Sequence, residues 1–267
     1  MTALSLECQA VLEHLDPEGR HDEEDRYGTV YSCGIFTSGD VRWKVAVAEC
    51  GPGNTNVSVI ATCAIIQFEP EVVLFVGVAG SLKKDVRLGH VVASTKIYNI
   101  HSGKAEETFR PRPAVHNTSH RMEQLARAVA RADQWLKRIR KRHADQVEAP
   151  QAHVGPIAAG EQVVAHELSQ TYQLIRQNYS DALAIEMEGY ATLAATRIPQ
   201  VDAIVVRCIS DNVLDKAQCD DKGWQPIAAH IARPAFLFSS TAAAWASGPN
   251  CEAAAPSASE VCNGWRP

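Results

Sequence analysis

The chain has 267 residues, of which 46% are hydrophobic and 21% charged, and its formal net charge is -5. This length supports one large α/β domain with its own core, and the acidic balance argues against general affinity for nucleic acid or an anionic membrane, since both recruit basic surfaces. No apolar run approaches the roughly 20 residues that span a bilayer, and Met1 is not followed by a basic segment and a signal-type apolar run. The expectation is a cytoplasmic protein with a small-molecule partner, no nucleic acid and no membrane.

In chain order, "YGTVYSCGIF" from Tyr27 and "VRWKVAVAEC" from Val41 flank the turn-forming "TSGD" and predict a hairpin. Gly51, Pro52 and Gly53 end the second strand, Asn54 or Thr55 can cap a helix that continues to Phe68, and Pro70 stops it. "EVVLFVGVAGSL" then reads as a buried parallel strand ending in a glycine turn, so that strand, helix and strand form a βαβ crossover. "HVVASTKIYNI" predicts another strand, "HSGKAEETFRPRP" a polar loop, and the arginine-rich segment from Ser119 to His143 a helix whose basic face, "KRIRKRH", is solvated. A short strand around "AHVGPIAAG", a helix over 166–178, a strand "DALAIEM" passing into a helix at Glu188, and a central strand "VDAIVVRCISD" complete the core. The last helix is expected from Trp224 to Trp245, giving a domain over 1–245. The small, Pro-containing composition of 246–267 predicts a disordered tail.

Cys8, Cys33, Cys50, Cys63, Cys208, Cys219, Cys251 and Cys262 contain no CxxC pair and no His/Cys cluster at metal-ligand spacing. They read as free thiols, with no metal and no cofactor. The segment "AIEMEGYATLAA" is more informative, because Glu186 and Glu188 stand in a largely apolar run. Ionised side chains are rarely buried without partners, so such a pair is committed to a ligand, a network or a salt bridge. Asp211, at the end of "VVRCISD", occupies a position where side chains emerge into the crevice at the carboxyl ends of strands, although an Asp there also serves as a helix cap.

The ordered set "GPGNTN", "VGVAGSL", "AIEMEGYA" and "VVRCISD" resembles the purine nucleoside phosphorylase and methylthioadenosine/S-adenosylhomocysteine nucleosidase superfamily, in its nucleosidase-like branch. The resemblance implies an α/β fold, a three-layer α/β/α domain around a central mixed β-sheet, nucleoside phosphorylase-like. It also implies cleavage of an N-ribosidic bond of a purine nucleoside or nucleotide, and a homo-oligomer, with a dimer favoured. It places Glu188 on the ribose hydroxyls, Met187 against the sugar, Asp211 as the acid toward the base with Ser210 beside it, and Glu7 as activator of water. Backbone from Gly77 through Val78 and Ala79 to Gly80 lines the site. Glu186 is left between ligand contact and a structural salt bridge with Arg207.

Phosphorylases of this superfamily carry an arginine before the glycine turn and a serine or threonine in it, where this chain has Phe75 and Val78. Neither side chain can bind phosphate, which favours water as the nucleophile. A phosphorylase using backbone donors near Gly51 and Gly53, and a nucleotide-binding sensor without turnover, are the alternatives. Val163 stands where the methylthioadenosine enzymes place an aromatic residue over the base. The family also begins with a buried strand before "TAL", whereas Met1 here sits directly against Thr2, so either that strand is absent or the true start lies upstream, and a poorly anchored Glu7 is expected. Finally, His101, Lys104, Arg110 and Arg112 would suit a 5′-phosphate or polyphosphate, the competing reading being a solvated loop balanced by Glu106 and Glu107.

Overall fold

A computed structural model describes residues 1–38, 41–107, 109–139 and 148–232. Helix α1 (Ser5–Leu12) precedes a separate three-stranded sheet of β1 (His21–Glu24), β2 (Val30–Ser38) and β3 (Val41–Val47). The main sheet contains β4 (Val72–Ser81), β5 (Val91–Asn99), β8 (Ala114–Asn117), β9 (Ala152–Ala159), β10 (Ala184–Glu186) and β11 (Asp202–Asn212), in the order β11-β4-β10-β9-β5-β8. It is mixed: β4 runs parallel to β11 and antiparallel to β10, while β9 runs parallel to both β10 and β5. The sheet curls until β11 also pairs antiparallel with β5 over Val206–Cys208, so five strands close into a ring. A short ribbon of β6 (Gly103–Lys104) and β7 (Arg110–Pro111) stands apart.

Strand alternation on β4 and β11 creates the layers, because successive side chains face opposite sides. On one side, Val57 and Ile65 of α2 (Asn54–Phe68) and Leu193 of α5 (Gly189–Arg197) join Val73, Phe75, Val205 and Ile209 in a buried cluster. On the other, Val11 of α1, Leu125 and Val129 of α3 (His120–Arg131) and Ile231 of α7 (Trp224–Ala232) cover Val76, Ile204 and Val206. Helix α4 (Gln170–Asn178) adds Ile175 to a third cluster with Leu82, Ile185 and Val213, and α6 (Lys216–Asp221) follows β11.

Several expectations are corrected. β3 and β4 do not form a βαβ unit in one sheet: β3 pairs only with β2 among the described strands, and the start of the chain intervenes. Thr2 bridges Glu49, while the Met1 ammonium donates to Leu74 O at 2.7 Å and Val76 N donates to Met1 O at 3.0 Å. The helix expected from Ser119 ends at Arg131 and continues as a 3₁₀ turn over Asp133–Arg138; 140–147, with most of the basic run, lie outside the described residues. The last helix is described only to Ala232, so its expected extension, the tail, Cys251 and Cys262 also lie outside. The other six cysteines are free thiols.

Candidate active site

Glu7 is the third residue of α1 and reaches back over its helix start. Its Oε2 accepts from Ala3 N at 2.9 Å and Leu4 N at 3.0 Å, half of a capping box. Its Oε1 accepts from Val78 N at 2.9 Å, which ties α1 to β4. With 2% exposure and three backbone donors Glu7 is firmly anchored, contrary to expectation.

Glu186 occupies the N-terminal side of α5, where its carboxylate accepts from Glu188 N at 2.9 Å and from Gly189 N. An anion there meets the positive end of the helix dipole. Glu186 also pairs with Arg207, so the salt bridge left open by the sequence is present. Arg207 Nη2 further donates to Glu188 Oε2 at 2.9 Å, and Glu188 Oε1 accepts from Gly53 N at 2.9 Å. Gly53, not Asn54 or Thr55, is the cap residue of α2; its φ of 98° lies in the region that favours glycine, and it aims that N–H at Glu188.

These groups meet at Gly77. The register sets Arg207 beside Gly77, and a Cβ there would collide with both the guanidinium and the Glu7 carboxylate. Three buried carboxylates thus share one buried guanidinium, whose plane also lies over the Phe75 ring at 4.6 Å. Burial raises Glu7 above the usual carboxylate range against the opposing pull of Arg207. Burial alone would lower Arg207, and the surrounding Glu186, Glu188 and Glu7 reverse this and hold it raised. Arg207 Nε is buried with no hydrogen-bond partner among the described residues. Sequence reasoning reached Arg207 only as a partner of Glu186; its contacts with Glu188 and Gly77 follow from long-range register, which leaves no local signal.

Asp211 is placed differently. A β-bulge makes Ile209 face Ala79 and Asp211 face Gly80, with Ser210 as the extra residue. Asp211 Oδ2 accepts from Ser210 Oγ at 2.9 Å and from Lys216 Nζ at 3.3 Å, and Lys216 also pairs with Asp220 at 3.5 Å. A Cβ on Gly80 would lie 3.0 Å from Asp211 Oδ1. Asp211 is therefore separated from the glutamate cluster by three residues of β4, roughly 10 Å at the usual strand rise; no contact joins the two groups directly. Lys216 was missed from the sequence, where a lysine beginning a short helix looks like any solvated charge.

Half-buried Met187 lies between the two glutamates, and Val78, Ala79 and Gly80 form the connecting strand. Val163 is 62% exposed and lines a cavity of about 340 Å³ with Ala165, Leu214, Asp215 and Lys216, next to Asp211. The cations of the 101–113 loop are largely committed: Lys104 and Arg110 both pair with Glu106. His101 Nδ1 accepts from Glu161 N at 3.3 Å, and Glu161 Oε1 accepts from Asn54 Nδ2 at 2.8 Å, which puts His101 at the edge of the Glu188 region. Arg112 is exposed, and its backbone N–H donates to Ser102 O.

Comparison with known proteins bears on the family and the fold. A family model described as the phosphorylase superfamily matches residues 1–230. The 5′-methylthioadenosine/S-adenosylhomocysteine nucleosidase of Maridesulfovibrio salexigens is 29% identical over 170 residues, 64% of this chain and 69% of that protein. The ATP nucleosidase Cap17 of Escherichia coli is 30% identical over 180 residues, 62% of this chain but only 36% of that larger protein. The crystal structure of the Neisseria meningitidis 5′-methylthioadenosine/S-adenosylhomocysteine nucleosidase with methylthio-immucillin-A superposes with a TM-score of 0.70, covering 92% of this chain and 96% of that one; at 21% identity this likeness concerns the fold.

Proposed function

Because the chain belongs to the phosphorylase superfamily, we propose that it hydrolyses the N-ribosidic bond of an adenine nucleoside or nucleotide, releasing free base and ribose or ribose phosphate. The observation that carries this reading is the buried set of Glu7, Glu186 and Glu188 around the single Arg207. As the bond to the base lengthens, the ribose acquires oxocarbenium character, and a preorganised excess of negative charge in a dry site stabilises it without reorganisation. Glu188 holds the ribose hydroxyls. Glu7 takes a proton from water as its oxygen bonds to the anomeric carbon, and Asp211 gives a proton to the departing base. A nucleoside lying along Val78–Gly80 would span the separation between the glutamates and Asp211.

Hydrolysis is favoured over phosphorolysis by what surrounds the nucleophile. Phe75 is buried under Arg207, and Val78 N–H is already engaged by Glu7, so neither offers an anion clamp. The engagement of Lys104 and Arg110 by Glu106 favours a neutral 5′ group over a polyphosphate. The test is chromatographic detection of adenine from adenosine, methylthioadenosine, S-adenosylhomocysteine, AMP and ATP, with inosine as the base control. Equal rates with and without phosphate are expected; release that requires phosphate would overturn the assignment.

The same reading extends to a cytoplasmic homodimer. The six free thiols among the described residues suit a reducing compartment. Helix α2 carries no charged residue and exposes Val59 and Ile66 at 60% and 62%, seven residues apart on one face. Among the described residues, no helix is long and apolar enough to cross a membrane. Sedimentation should return twice the 29.0 kDa chain mass, and a monomer at micromolar concentration would refute the dimer.

A further inference from the structure

We propose that His21, Glu23 and Cys33 form a zinc-binding site at the edge of the core-facing side of the β1–β2 ribbon, separate from the carboxylate cluster. The spacing of these residues along the chain gives no hint of it; antiparallel pairing creates it. His21 stands opposite Cys33 and Glu23 opposite Tyr31. Residues two apart on a strand share a face, as do cross-strand partners, so the three side chains project together. Asp22 takes the opposite face, where it accepts from Ser32 Oγ.

The candidate ligand atoms all lie within 4.8 Å of one another, and His21 Nε2 is 2.9 Å from Glu23 Oε1. Modest side-chain rotation closes such a spread to zinc–ligand distances of roughly 2.0–2.3 Å. His21 is already oriented for the task. Its Nδ1 is 3.0 Å from Gly19 O, and a carbonyl can only accept, so Nδ1 donates and fixes the ring with Nε2 toward Glu23; the proton that Nε2 donates to that carboxylate leaves when the metal takes its place. Metal-binding histidines are held in this way by a second hydrogen bond.

Imidazole, thiolate and carboxylate together suit a borderline cation such as Zn²⁺. One thiolate and one carboxylate neutralise its two charges, which matters where Cys33 is buried and His21 is open to solvent. The Cys33 thiol must give up its proton as the metal binds. Water completes the tetrahedron from the exposed side. The ion would clip the edge strand β1 onto β2, a structural role that does not depend on the catalytic assignment.

The test uses the full-length, tag-free chain, stripped with a chelator and titrated with Co²⁺, followed by displacement with Zn²⁺. One equivalent of Co²⁺ should produce a thiolate-to-metal absorption band that Zn²⁺ abolishes. Cys33→Ser should eliminate the band, and His21→Ala should weaken binding by at least about 100-fold, the upper range for losing even an outer partner. Because Cys33 is packed in the core, His21→Ala at the exposed edge decides the matter if Cys33→Ser fails to fold. Absence of the band in the parent protein, or its survival in either variant at unchanged affinity, overturns the site.

Discussion

Asp211→Asn should lower kcat for adenine release by about 10²–10⁴-fold, the range attributed to a positioned general acid, while substrate affinity measured by calorimetry changes little. The amide can still accept from Ser210 and fits the same space, but its N–H protons are not acidic enough to transfer. It also changes the group that Lys216 meets, so the comparison needs a folding control by circular dichroism. A sharper comparison uses a nitrophenyl riboside, whose leaving group departs without protonation. The variant should handle that substrate nearly as well as the parent does. Equal losses on both substrates would mean that Asp211 supports the fold or binding, not the acid step.

Glu7→Gln should cost about 10²–10⁴-fold in kcat/KM if the carboxylate activates water, and its pH behaviour distinguishes that role from a structural one. Glu7 must be ionised to accept a proton, and burial raises its pKa. The acid limb of the parent's kcat/KM should therefore lie above the usual carboxylate range and vanish in the variant. Stability follows the opposite sense. A group whose folded pKa is raised contributes stability that is fully present below its unfolded pKa and lost as pH rises through the folded one. The urea midpoint of Glu7→Gln should thus improve relative to the parent as pH increases, although the amide also loses an acceptor for one of the three backbone N–H groups. A gap between the two midpoints that is independent of pH would contradict a buried, ionising Glu7.

The parts of the molecule legible in the sequence are those where local chemistry and tertiary structure agree. Helix α2 spans Asn54–Phe68 as the Gly51–Gly53 break and Pro70 indicate, and β4 spans Val72–Ser81 within the apolar run that predicts it. β1 was invisible because "HDEE" is charged, largely exposed and without alternation, its strand geometry imposed by pairing with β2. The placement of β3 in a separate sheet depends on which backbone edge is free, which side-chain pattern does not encode. At the site, Glu186 and Glu188 announce themselves as ionisable groups in an apolar run. The meeting of Glu7 with Arg207 at Gly77 joins elements about 70 and 200 residues from the start of the chain, and only the register of β11 on β4 brings them together.

The single unpaired residue in β11 makes the aim of Asp211 a matter of counting. Removing one amino acid between Ile209 and Asp211 would restore step with β4 and turn every later side chain in the strand to the other side, moving the carboxylate without altering its identity. The position of Asp211 therefore depends on how many residues precede it in the strand as much as on its own identity.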